Sequence, residues 1–165
     1  MDSRQLERSM TTLDEGSTAA VTEYVTVMIG GQLFGLPIDR VHDVFVPARL
    51  TRVPLSQPEI AGVLNLRGRI VTAIDMRRRL ILPPRQDGRP PMAVGIDWRG
   101  ESYGLLVDTV GEVLKLSETS HEPIPVNLDR QLASVSAGVH RLEGQLLLIL
   151  NVDHVLDIGS ERVAA

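Results

Sequence analysis

The sequence predicts a mostly β protein made of two small barrels related by an internal duplication. Three observations carry that expectation. From Glu23 onward the chain is a series of short β-branched runs bounded by glycine. No long amphipathic helical pattern interrupts them. Two blocks of sequence recur in the same order, the mark of a duplicated unit.

Residues 1–20 are polar, rich in Ser, Thr and acids, with only Leu6, Met10 and Leu13 at weak helical spacing, and read as a flexible tail. Tyr24–Ile29 and Gln32–Leu36 flank Gly30-Gly31, a pair able to take the positive φ angles of a two-residue hairpin turn. Arg40–Val46, Gly62–Leu66 and Arg69–Ile74 read as further strands, and Met76–Leu80 as one helical turn. Pro83, Pro84, Pro90 and Pro91 bracket a charged linker. The strand rhythm then resumes over Met92–Trp98, Ser102–Val107, Val110–Leu116, Val135–Leu142 and Gln145–Leu150, and Val152–Ile158 reads as a closing helix.

The repeat is explicit. Phe34–Val44 lies over Tyr103–Val113 at a shift of 69, with eight of eleven positions identical or chemically alike. Gly62–Val71 lies over Gly138–Leu147 at a shift of 76, and that register continues through Ile74/Leu150, Asp75/Asn151, Met76/Val152 and Leu80/Leu156. A unit of about 70 residues buries too little surface to be very stable alone, so two copies are expected to share an apolar seam. Small antiparallel sheets commonly remove their edges by closing into barrels. The expected organisation is a tail over 1–20, a domain over 21–158 and a tail over 159–165. Within the domain the units are expected at about 23–82 and 90–157, with exchange of strands between them allowed.

Composition narrows the function. The chain has 165 residues, 43% hydrophobic, 23% charged and 3% aromatic, with no cysteine. That removes disulfides, thiol nucleophiles and thiolate metal sites together. The first residues are charged throughout and lack an apolar core, and no run reaches the roughly 18 apolar residues of a membrane span. A cytoplasmic protein without direct membrane insertion is expected. Between Arg40 and Pro90, ten Arg face four acids, a local +6, while the remainder carries seven basic residues against seventeen acids. Five aromatics and a net charge of −4 do not suit a nucleic-acid binder. A solvated arginine face is the ordinary reading of the excess; the asymmetry also fits a surface that meets an acidic protein partner.

Catalytic patterns are weak. Gly100-Glu101-Ser102-Tyr103-Gly104 matches G-x-S-x-G, and Asp108 and His121 follow in hydrolase order. That motif needs a sharp strand-to-helix turn, whereas Ser102 opens a strand-like run. A Ser102 hydrolase is therefore the remote alternative. The histidines 42, 121, 140 and 154 lack metal-ligand spacing, and no phosphate-binding glycine loop occurs. No catalytic residue, cofactor or metal is expected.

Gly62-Val63-Leu64-Asn65-Leu66-Arg67-Gly68-Arg69 stands out. Alternation places Asn65 and Arg67 on one face of a strand, with Leu64 and Leu66 on the other. The second copy has Glu143 where the first has Arg67. A purely structural charge would keep its sign, so Arg67 is a candidate for partner binding.

These residues resemble a known family. Val41-His42-Asp43-Val44, the Gly62–Gly68 block and Ile74-Asp75-Met76-Arg77, in that order and spacing, are similar to the CheW family of bacterial chemotaxis coupling proteins. Gly104–Val110 and Leu147–Asn151 continue the match, which runs from about Glu23 to Asp157. The resemblance implies two SH3-like five-stranded barrels. It also implies a non-enzymatic adaptor between the cytoplasmic tip of methyl-accepting chemoreceptors and the histidine kinase CheA. The kinase's regulatory domain shares the fold, so rings of alternating adaptor and kinase domains are implied, at membrane-associated receptor arrays. Receptor-binding positions of the family fall on Val41, Asp43, Gly62 and Arg67, with Gly62 expected to let a receptor helix approach closely. Two departures stand here: Asp43 where the family usually has Glu, and Thr72 where Pro is common. The first bears on partner choice, and an adaptor of a non-motility chemosensory pathway is the alternative.

Overall fold

The strands form two sheets, and each sheet draws on both repeat units. The computed structural model describes residues 20–158. In chain order it has β1 (Val21–Ile29), β2 (Gln32–Pro37), β3 (Asp43–Phe45), β4 (Ile60–Leu66) and β5 (Arg69–Asp75), then helix α1 (Met76–Arg79). The second unit supplies β6 (Met92–Trp98), β7 (Glu101–Val107), β8 (Thr109–Ser117), β9 (His121–Glu122), α2 (Arg130–Ser134), β10 (Ser136–Leu142), β11 (Gln145–Leu150) and α3 (Val152–Leu156). One sheet runs β3-β6-β7-β5-β4 and the other β8-β1-β2-β11-β10-β9.

The two orders are one order. Replacing β8, β1, β2, β11 and β10 by their repeat partners β3, β6, β7, β5 and β4 converts the second sheet into the first, with β9 left over. The first hairpin of each unit therefore sits in the sheet of the other. It joins there through a parallel pair, β5 with β7 (Ala73 opposite Gly104) and β11 with β2 (Leu148 opposite Phe34). Exchange of this kind makes the two units inseparable.

Each sheet also curls until its edges meet. In the first barrel the chain beyond β3 returns to β4, where Thr51 and Val63 exchange two backbone hydrogen bonds of 2.8 Å. In the second, β8 and β9 lie at opposite edges of the sheet yet are joined by the three-residue turn Glu118–Ser120. Closure in both cases removes an exposed edge.

One core lies between the barrels. Phe34 and Leu36 of β2, Ile74 of β5, Leu105 of β7 and Leu148 of β11 bury fully there, with Met76 of α1 and Val155 of α3. Each such side chain contributes about 1.5–3 kcal/mol relative to exposure. The helices are short but capped. Asp75 accepts from the amides of Arg77 and Arg78, and its repeat partner Asn151 accepts from that of His154. The barrel interiors differ: Leu64, Val71, Ala73, Ala93 and Leu106 fill the first. The second buries Thr26, Ser136 and His140, and His140 occupies the repeat position of Leu64.

Three sequence expectations change. The strand expected over Arg40–Val46 is a 3-10 turn, Ile38–Arg40, followed by the short β3, because the Val41 amide turns back to Ile38 O at 3.1 Å. Helix α2, not expected, begins where Asp129 caps the amides of Gln131 and Leu132. Arg67 leaves the strand that was to carry it beside Asn65, since β4 ends at Leu66. The expected tails lie, Ala20 apart, outside the described residues.

Candidate functional site

Three of the four candidate residues gather at one end of the first barrel. Val41 is half-buried against the shared core. The next amide, that of His42, donates to Gly95 O at 2.7 Å and sets the chain beside β6. Asp43 then pairs with Gly95 in register. Its carboxylate folds back over that glycine, where a Cβ would collide with Oδ1. Asp43 Oδ1 is buried without a hydrogen bond among the described residues, while Oδ2 faces Arg67 Nη1 at 3.9 Å.

Arg67 is presented by a turn. Arg67 and Gly68 join β4 to β5 with φ of 52° and 83°, the twist-matched geometry of a two-residue hairpin. Asn65 Oδ1 accepts the Gly68 amide at 2.8 Å and locks it. The Asn of this block therefore serves the turn, and the arginine projects with 77% of its side chain exposed. β3 and β4 are opposite edges of the sheet, so the Asp43–Arg67 approach spans the barrel seam.

Charges continue along this end. Asp97 lies 3.6 Å from His42 Nδ1 and 4.0 Å from Arg69 Nη1, and accepts from Ser102 Oγ at 3.2 Å. Val44 and Val46 stay exposed just beyond Asp43. The result is an exposed surface at which both signs of charge alternate.

Gly62 belongs elsewhere. Five residues of strand separate it from Arg67, about 16 Å at the usual rise. It sits at a bulge in β4 with φ of +150°, and a Cβ there would lie 2.6 Å from Thr51 O. Its repeat partner Gly138 occupies the matching bulge in β10, where a Cβ would collide with His121. The space beside Gly62 is filled by its own chain at the barrel closure, which supplies an internal reason for the glycine.

The hydrolase alternative fails on geometry. Ser102 lies within regular β7 and spends its hydroxyl on Asp97. Asp108 accepts two hydrogen bonds from Arg77 and one from the Gly30 amide. His121 packs edge-on to His140 instead, 5.6 Å between ring centres. Among the described residues no group of three or more His, Cys, Asp or Glu is placed to hold a metal ion.

Sequence reasoning missed Asp97 and the Arg77–Asp108 pair. Arg77 and Asp108 lay in matched blocks and Asp97 outside them, but an ion pair across two strands leaves no periodic signal. The bulge glycines did leave one, their recurrence at the shift of 76.

The molecule is a duplicated pair of closed β sheets with a charged cluster at one end of the first barrel. A family model described as CheW-like domain matches residues 23–159. The chain belongs to that family, whose members are chemotaxis adaptors. It is 29% identical to chemotaxis protein CheW of Bacillus subtilis (strain 168) over 140 residues, covering 85% of this chain and 90% of that one. Against chemotaxis protein CheW of Thermotoga maritima the identity is 25% over 135 residues, 82% and 87% of the two chains. Among solved structures, the scaffolding protein TtCheW from Thermoanaerobacter tengcongensis superposes with a TM-score of 0.75 at 26% identity, covering 84% of this chain and 94% of that one. Among the described residues no helix is long and apolar enough to cross a membrane.

Proposed function

We propose that the chain couples the cytoplasmic tip of a methyl-accepting chemoreceptor to the histidine kinase CheA, working in the cytoplasm at receptor arrays. The observation that carries this reading is the Asp43–Arg67 seam. A guanidinium that is 77% exposed and only 3.9 Å from its internal partner remains free to make a bidentate pair with a receptor carboxylate. Val41 and the exposed Val44 supply the apolar contact for a helical hairpin tip. Asp43 returns Arg67 to a defined place when no partner is present. Gly62 acts through the barrel closure, by holding the loop that ends at Thr51.

The kinase partner is the regulatory SH3-like domain of CheA, met barrel to barrel, with rings of alternating domains as the extended form. Asp43, one methylene shorter than the usual Glu, stays against Gly95 and leaves more of Arg67 to the partner. That difference favours a particular receptor or kinase, and the pathway served is then motility or another chemosensory output. Pull-down with a receptor cytoplasmic fragment and with the kinase regulatory domain tests the coupling. Binding of both is expected, and binding of neither in any host pairing overturns it.

A further inference from the structure

A groove of about 720 Å³ opens at the other end of the first barrel, where β5 and β7 finish and the proline linker crosses. It lies about six residues of strand from the Arg67 turn, roughly 20 Å at the usual rise. Leu82, Pro83, Pro91 and Leu106 make much of its wall. Four arginines line it, and they divide into two kinds.

Arg77 and Arg85 are committed to the fold. Arg77 grips Asp108 and donates to Pro83 O at 2.8 Å; Arg85 meets Asp87 at 3.0 Å and donates to Asp108 O at 3.0 Å. Arg78 and Arg89 are not. Arg78 comes no nearer than 3.7 Å to Asp75 and keeps 56% of its side chain exposed. Arg89 is exposed, its amide donating to Asp87 Oδ1 at 3.0 Å while Arg85 takes the closer side-chain contact with that carboxylate. Two exposed, loosely held cations therefore stand at the rim of an apolar trough that Asp75 and Asp108 also line.

Ile81 is the second, independent sign. It is 71% exposed and held at φ of +57°, just past the end of α1. Glycine is the usual occupant of that position, and a β-branched residue there is a true outlier. No burial repays the strain: Leu82, its neighbour, turns inward beneath Gly30 while Ile81 points out. The C-cap hydrogen bonds of Ile81 and Leu82 to Arg78 O and Arg77 O set that backbone, and they leave the Ile81 side chain exposed at the groove mouth, available to a partner.

We propose that this groove docks a short acidic amphipathic segment of a partner protein. Its apolar side chains lie against Ile81 and the prolines, and its carboxylates meet Arg78 and Arg89. The charge of the chain selects that occupant. Ten Arg against four acids between Arg40 and Pro90 attract carboxylates locally, while the remaining acidic surface repels extended polyanions such as nucleic acid or an anionic bilayer. The groove and the Arg67 seam lie at opposite ends of one barrel, so both can be occupied together. The inference stands whether or not the seam binds a receptor.

The test is an NMR titration of the full chain with a synthetic Leu/Glu amphipathic peptide and its Leu/Gln counterpart. The Glu peptide is expected to shift Ile81, Leu82, Arg89 and Val107, and to bind about tenfold more weakly to Arg78→Glu/Arg89→Glu. Ile81→Gly is expected to raise the melting temperature while weakening the peptide, a combination that a purely structural isoleucine would not give. Equal binding of the Gln peptide, shifts centred on Arg67, or no shifts at millimolar peptide overturns the proposal. So does binding of phosphatidylserine vesicles, or self-association on sedimentation, that the double variant abolishes while the peptide is ignored.

Discussion

Arg77 donates two hydrogen bonds to the carboxylate of Asp108, Nε to Oδ1 at 2.9 Å and Nη2 to Oδ2 at 2.8 Å. Arg77 follows the last strand of the first unit, and Asp108 joins β7 of one sheet to β8 of the other. The Gly30 amide, at the turn of the exchanged hairpin, completes the cluster at 2.8 Å. The pair therefore fastens the two sheets at the point where the chain crosses between them.

Removing Arg77 leaves the mostly buried Asp108 carboxylate without its ion-pair partner, held only by the Gly30 amide. Arg77→Ala is expected to cost about 3 kcal/mol or more at neutral pH, read by denaturant unfolding. The Arg77 guanidinium holds Asp108 below the ordinary carboxylate value of 3.8. The stabilisation is thus complete above that value and is lost as pH falls through the depressed one. The gap between wild type and variant should close in strong acid; a gap that is unchanged there contradicts the assignment.

Gly62→Ala is expected to destabilise by about 1–3 kcal/mol, because the new Cβ meets a backbone carbonyl at a strained φ. Gly138→Ala should do the same for the second barrel. Thermal melts check both, and a lower receptor affinity of Gly62→Ala should track the unfolded fraction. Full stability with binding lost would instead place Gly62 in direct contact with the partner.

His140 is buried in the second barrel with Nε2 unbonded among the described residues. Burial, then the neighbouring His121, pushes its pKa below the ordinary 6.5, against an upward pull from Glu118 and Glu122. Above 6.5 both folded and unfolded states are neutral at this ring. As pH falls, the unfolded chain takes the proton first, and stability drops through the window below 6.5. His140→Leu, which restores the residue at Leu64 in the other copy, should flatten the melting temperature between pH 7 and pH 5. Parallel curves for the two proteins would refute this.

The fold was legible because duplication writes itself twice. Gly62 and Gly138, Asp75 and Asn151, Leu80 and Leu156 recur because bulge, cap and helix face are each needed once per barrel. Which hairpin joins which sheet was not legible, since parallel pairs such as Ala73–Gly104 depend on chain crossing and not on local pattern. At the seam, the repeat singled out Arg67 and the family resemblance pointed to Asp43, while Asp97 and Thr51 stayed hidden. Their roles come from barrel closure, which brings together residues with no fixed spacing.

The central claim is that Arg67, loosely kept by Asp43, is the charge a receptor takes. Titration calorimetry of a receptor cytoplasmic fragment against wild type and Arg67→Glu, at low and high salt, tests it most directly. Binding weakened about tenfold or more by the reversal at low salt, with a smaller difference at high salt, is the predicted result. Equal affinity for both proteins, each folded by circular dichroism, would contradict it.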